Sequence, residues 1–331
     1  MNLLKRSAKG RPTRIFFASD LHGSEVAWRK FVNAARFYGA DVLVFGGDLT
    51  GKATVPVVSQ PDGSHRAELH GAQHVLEDAA SLRAFTESAE RAGFYWAAMD
   101  ADRYRTLAGD PPAVERLFVD LAGDRLRRWI GFAQERLAGS GVRLFLTGGN
   151  DDLPEVLEVL QEADGEVVVP CEHEVVELDD AHSMITVGYS TPTPWNTARE
   201  ASEERIAGFI DESAARVPDP ERCVFNLHVP PLDSGLDRCL KVDARTDVPS
   251  VVKDAGRPVY YGAGSRAVRE AIRRYQPAAG LHGHIHESPG QITYGRTRCF
   301  NPGSEYSQGV LSGLIVTLRD GRVAGYQHTT G

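Results

Sequence analysis

Asp20-Leu21-His22, Gly47-Asp48, Gly149-Asn150-Asp151, Asn226-Leu227-His228 and Gly283-His284-Ile285-His286 follow one another along the chain, each at the end of a short apolar run. Residues two apart in an extended segment point the same way, so Asp20 and His22 can reach one ion together. Asp48 follows two glycines that permit a tight turn, and its two oxygens make it a natural bridge between two ions. Asn150 adds a neutral oxygen, and His228, His284 and His286 add nitrogens. Mixed oxygen and nitrogen donors suit manganese, iron or zinc better than calcium, whose sites are built of oxygen alone. A single D-x-H or G-D pair arises by chance. The ordered series, each member placed after a predicted strand, leads us to expect two divalent metals at converging strand ends.

The elements that must position these residues can be read from periodicity. Arg14 to Ser19 and Asp41 to Gly46 are short apolar runs that predict buried strands. Between them, Val26, Phe31, Val32 and Ala35 recur at helical spacing, with Ser24 as N-cap. Strand, helix and strand in that order favour a parallel pair within an α/β sheet. Arg143 to Thr147 and Arg222 to Leu227 are further predicted strands, and the predicted helix Ser265 to Tyr275 leads through Ala278 to Leu281 into the double-histidine segment. Glu174 to Leu178 with Met184 to Val187, and Val310 to Leu318 with Arg322 to His328, read as hairpins.

The interval from Thr54 to Leu137 exceeds what a connection between two core strands needs. It carries a predicted hairpin around Pro61-Asp62-Gly63-Ser64 and then charged helical sequence. We read the whole chain, 1–331, as one domain with 54–137 inserted, either a lid or cap beside the site or a surface addition. His65, Arg66, His70 and His74 within it read as solvated. The loop after His228 offers Asp233, Ser234 and Arg238 as candidate substrate contacts.

Composition narrows the partners. The chain has 331 residues, 42% of them hydrophobic, and a formal net charge of −8, which argues against a general binder of nucleic-acid backbones. An anionic substrate remains compatible, because two bound dications reverse the local field. Cys171, Cys223, Cys239 and Cys299 form no C-x-x-C pair, so neither a zinc knuckle nor a redox dithiol is indicated. Met1 to Arg6 lacks an apolar stretch and no uninterrupted apolar run approaches membrane-spanning length, so we expect a cytoplasmic protein that does not engage a membrane. Nothing here indicates an oligomeric state.

The ordered series resembles the calcineurin-like metallophosphoesterase family, whose pattern is D-x-H, G-D, G-N-H, a histidine after a strand, and G-H-x-H. The resemblance runs from Arg14 to Leu318 apart from the insertion, and Asn301-Pro302-Gly303-Ser304 also looks like family sequence. His228-Val229-Pro230-Pro231 and Gly283-His284-Ile285-His286-Glu287-Ser288 are similar to the branch related to bacterial cyclic-AMP phosphodiesterases. The resemblance implies a two-sheet αββα sandwich carrying a helical and hairpin insertion. It implies Asp20, His22, Asp48 and His286 around one metal, and Asp48, Asn150, His228 and His284 around the other. It further implies a dinuclear hydrolase of a small or cyclic phosphodiester, acting through a hydroxide that bridges the metals. A phosphomonoesterase is the alternative activity, a non-catalytic interaction scaffold on the same fold the alternative class, and a nuclease is disfavoured by the acidic balance.

One position departs from the family pattern. Asp151 stands where the family has a histidine beside the phosphoryl group. An ordinary carboxylic acid, with a pKa near ~4, is ionised at neutral pH and would repel a phosphate. Two dications would depress its pKa further, so we expect Asp151 to turn away and orient a neighbour, leaving an enzyme without a general acid. Two other matches fail: Gly46 to Lys52 reads G-x-x-x-x-G-K, but Ala53 stands where a phosphate-binding loop needs Ser or Thr, and Ser190 lacks a G-x-S-x-G elbow.

Overall fold

The computed structural model describes residues 11–163, 165–243 and 249–331, so Met1 to Arg6 and part of the long Pro230 to Gly264 interval lie outside the described residues. Two six-stranded sheets face each other. The first is ordered Arg322–Thr330, Ser312–Arg319, Thr13–Ala18, Val42–Phe45, Arg143–Leu146 and Val168–Pro170. The second is ordered Gly290–Tyr294, Thr297–Asn301, Ala279–Leu281, Cys223–Leu227, His182–Val187 and Val175–Asp179.

Alternation along the central strands explains the layering. Ile15, Phe17, Val42, Val44 and Phe145 point inward to meet Met184, Val224, Leu281 and Phe300 of the other sheet. Their neighbours Phe16, Ala18, Leu43, Phe45 and Leu144 point outward into a second core beneath the helices Glu25–Tyr38 and Pro111–Leu137. Ile185, Phe225 and Cys299 do the same on the far side, under the helices Glu203–Ala214 and Arg266–Tyr275. Strands apolar on both faces are what a parallel sheet covered on both sides requires. The result is the expected two-sheet αββα sandwich.

The central strands run parallel within each sheet, with Ile15 opposite Val42, Leu43 opposite Leu144, Val224 opposite Ala279 and Ala279 opposite Arg298. Their C-terminal ends therefore emerge along one edge of each sheet, and every motif named above lies there.

The interval 54–137 contains two kinds of structure. Thr54–Ser59, His65–Leu69, Ala72–Leu76 and Tyr95–Met99 form a four-stranded sheet that buries Val57 and Leu69 against Phe85 and Ala89 of the helix Ala79–Arg91. The helix Pro111–Leu137 belongs instead to the sandwich: Leu126, Trp129, Ile130 and Leu137 enter the main core, and Trp129 stacks on Trp28 at 4.8 Å with planes 4° apart. Among the described residues no helix is long and apolar enough to cross a membrane.

Candidate metal centre

Four of the expected ligands sit in backbone conformations that side-chain-bearing residues rarely adopt: Asp20 (φ 59°), His22 (41°), Asp48 (57°) and His284 (67°). Such strain persists where surrounding structure over-determines it. Gly149 and Gly283 show how tightly the loops close. A Cβ on Gly149 would lie 2.1 Å from Asp48 Oδ1, and one on Gly283 would lie 2.1 Å from Ser19 Oγ and 2.3 Å from Asp20 Oδ2.

Donor atoms of Asp20, His22 and His286 lie within 4.8 Å of one another, as do those of Asp20, Asp48 and His228, and those of His22, Asp48 and Asp151. Asp48 faces both halves of this cluster: Oδ2 is 3.5 Å from His22 Nε2, and Oδ1 is 3.5 Å from His228 Nε2. His228 Nε2 also lies 3.0 Å from Asn150 Oδ1, and the His284 ring stands edge-on to His228 at 5.3 Å. The structure thus brings Asp20, His22, Asp48, Asn150, His228, His284 and His286 to one place.

The donor chemistry fits divalent metal. His228 Nδ1 donates to the Gly46 carbonyl at 2.8 Å, which leaves the Nε2 lone pair of the neutral ring facing the carbonyl oxygen of Asn150. Asn150 is fixed in that orientation because its Nδ2 donates to Thr197 Oγ1 and Asp151 Oδ1. His22 Nε2 faces His286 Nε2 at 3.1 Å, and the buried His22 Nδ1 has no hydrogen-bond partner. Acceptors that converge on acceptors require a cation between them.

Without a metal, protons fill that role. Although burial opposes it, Asp48 raises His228 to about 9, and Asp20 raises His286. Burial likewise opposes charge on the carboxylates, yet His286 and His228 hold Asp20 at about 2, and His228 holds Asp48 well below the usual range. Burial and then the charge on His228 push His284 down to about 4.

A cavity of about 350 Å³ opens onto the cluster, lined by Asp48, Asn150, His284 and His286 and also by Trp195, Leu240, Val242 and Tyr261. Asp233, Ser234 and Arg238 are not among its lining residues. Asp233 pairs with Arg269, Ser234 with Asp237, and Arg238 lies over the Tyr260 ring, because a buried Asp237 gathers the backbone of 233–235 into a closed turn. Leu240, Val242 and Tyr261, further along the same stretch, do line the cavity. No described residue of 54–137 lines this cavity.

Asp151 keeps a carboxylate oxygen 3.7 Å from His22 Nδ1 and so does not turn away from the cluster. It does pair with a neighbour, Lys52, at 2.8 Å. Burial and the charge on Asp48 push Asp151 up, against the pull of Lys52.

Three supporting residues escape sequence reasoning. Asp152, fully buried, accepts from Leu49 N, Thr50 N, Thr50 Oγ1 and Gly149 N, locking the Asp48 loop to the Asn150 loop. Arg199, buried, donates to the Gly149 carbonyl and pairs with Glu172. Lys52 ends the motif that fails at Ala53. The doubled Asp151-Asp152 is the one available signal.

No family model and no curated protein sequence matches the chain. Solved structures do. One, 13% identical, superimposes with a TM-score of 0.55 over 97% of this chain and 99% of its own. TT1561 of Thermus thermophilus, also 13% identical, gives 0.50 over 96% of this chain and 99% of its own. At this identity the likeness extends to the fold.

Proposed function

We propose that the protein is a dinuclear metal-dependent phosphoester hydrolase whose substrate is a small phosphodiester, cyclic or linear. The observation that carries this reading is the convergence of seven Asp, Asn and His side chains in one cluster, four of which line a cavity, with Asp48 presenting one oxygen to each half of the cluster.

Asp20, His22, Asp48 and His286 would hold one ion, and Asp48, Asn150, His228 and His284 the other. Two such dications supply Lewis acidity and an activated water for attack on phosphorus. The protein's own groups set the geometry. The Gly46 carbonyl fixes the His228 tautomer, Thr197 and Asp151 fix the Asn150 amide, and the His284 backbone N–H donates to both oxygens of Asp20 at 3.0 and 3.1 Å. Tyr306 packs its ring against His22 at 4.7 Å and His286 at 5.9 Å, shielding one flank from water. The apolar wall of Trp195, Leu240, Val242 and Tyr261 gives an organic substituent of the phosphate a place to lie, which favours a diester over a small inorganic substrate.

The test is metal analysis of purified protein followed by turnover on a panel of mono-, di- and cyclic phosphoesters. We expect about two transition-metal ions per chain and turnover of a diester that falls when the metals are chelated. Protein that takes up no metal, or metal-loaded protein inert on every ester, overturns the reading.

A further inference from the structure

Lys52 is the one Lys or Arg among the described residues that line the cavity beside the cluster. It also lines the adjoining cleft bounded by Phe118, Trp195 and Asn196. The remaining charged residues of the cavity wall, apart from the histidines, are acidic: Asp48, Asp151 and Glu287. An anion entering therefore meets one fixed cation in addition to whatever the cluster holds.

The placement of that cation is specific. Lys52 follows the Asp48 loop, four residues beyond the bridging carboxylate, and its Nζ reaches Asp151 Oδ2 at 2.8 Å. Asp151 is itself held on two sides: its backbone N–H donates to Asp48 Oδ1 at 3.0 Å, and its Oδ1 accepts from Asn150 Nδ2 at 3.0 Å. Two residues of the cluster thus aim Asp151, and Asp151 aims Lys52. An ammonium group has three donors, and the ion pair with Asp151 occupies one. The side chain stays 53% exposed, so the other donors remain open to the cavity. A half-exposed ion pair of this kind adds little to stability, so holding the fold together does not explain it.

We propose that Lys52 binds a non-bridging phosphoryl oxygen of the substrate and that Asp151 is its positioning residue. This rests on the phosphoester-hydrolase reading above. It also accounts for a carboxylate at the phosphate end of the cavity: paired with Lys52, Asp151 contributes no net repulsion and converts its own charge into alignment of a cation.

The experiment uses the full-length protein loaded with Mn²⁺, in native form and as Lys52→Gln, Lys52→Arg, Asp151→Asn and the Lys52→Gln/Asp151→Asn double variant. Metal content is measured by elemental analysis, the Kd for inorganic phosphate by calorimetry, and kcat and KM on an aryl phosphodiester. We expect native metal content throughout the Lys52 variants, a Kd for phosphate raised at least about tenfold in Lys52→Gln, and recovery of most of that loss in Lys52→Arg. Asp151→Asn should weaken phosphate binding less than Lys52→Gln, and the double variant should bind no worse than Lys52→Gln alone, because the two act as a unit. Native phosphate affinity in Lys52→Gln overturns the role of Lys52. Additive losses in the double variant overturn the positioning role of Asp151. Native protein that holds metal yet neither binds phosphate nor cleaves an ester overturns the hydrolase reading itself.

Discussion

Asp48 presents Oδ2 to His22 and Oδ1 to His228, so a single amide substitution strikes both halves of the cluster. Asp48→Asn is expected to lower metal content at both positions and to reduce turnover at least about a hundredfold, the range seen when electrostatic stabilisation is removed. Two retained metals with near-native turnover would contradict the bridging role. A second expectation concerns protons. In metal-free protein His228 has its pKa at about 9 and so carries a proton at neutral pH, and Asp20 raises His286 in the same direction. Metal must displace the His228 proton, so affinity is expected to rise with pH until it passes about 9, and calorimetric heats at pH 7 should scale with the ionisation enthalpy of the buffer. Heats independent of the buffer would show that the cluster is already deprotonated. The candidate ligands are legible in the sequence because each motif packs its donor or donors into two to four consecutive positions. Asp152 and Arg199 are not, since Asp152 meets Thr50 across 102 positions and Arg199 meets Gly149 across 50.

The helix Pro111–Leu137 ties the interval 54–137 to the site. Its buried Arg125 donates to the Gly23 and Phe94 carbonyls and lies over the Tyr95 ring, whose hydroxyl accepts from Gly51 N at 2.8 Å. Trp129→Ala removes the indole stacked on Trp28 and should cost about 3–5 kcal/mol in urea unfolding. A cost within about 0.5 kcal/mol would show that this helix is not part of the main core. Excision of the whole interval is accordingly expected to give a chain that fails to fold, read out by near-ultraviolet circular dichroism. The central strands are readable because both of their faces are apolar. The short strand Val168–Pro170 and the pair Arg238–Leu240 with Tyr260–Gly262 are not, since three-residue strands are too short to show a period. That pair carries the Leu240 and Tyr261 wall, which is why sequence alone points to the preceding turn for substrate contacts.

Far from the site, side chains latch the two sheets together. Asp179 of the second sheet accepts from Thr13 of the first and from His182, whose Nε2 accepts in turn from Gly321 N in the turn that closes the first sheet. Despite its partial burial, the bonds from Thr13 and His182 hold Asp179 below the ordinary carboxylate range. A lowered pKa means that its contribution is complete above the unfolded value near ~4 and is lost as the pH falls through the folded value. Asp179→Ala should therefore cost about 1–3 kcal/mol at pH 7, with the difference from native protein shrinking below pH ~4. An equal cost at pH 7 and pH 3 would show that the latch acts by packing rather than by charge. The last hairpin also governs timing. Thr13–Ala18 lies between Val42–Phe45 and Ser312–Arg319, with Thr13 opposite Leu318 and Phe17 opposite Leu314. During synthesis the first strand can gain one neighbour early, but its other side stays bare until Ser312–Arg319 has emerged. Until then it is an unpaired apolar edge, the kind of surface on which chains associate. Chains terminated before Ser312 should accordingly accumulate as aggregate, whatever their complement of candidate metal ligands, and a nascent chain would depend on chaperone cover until that strand is made.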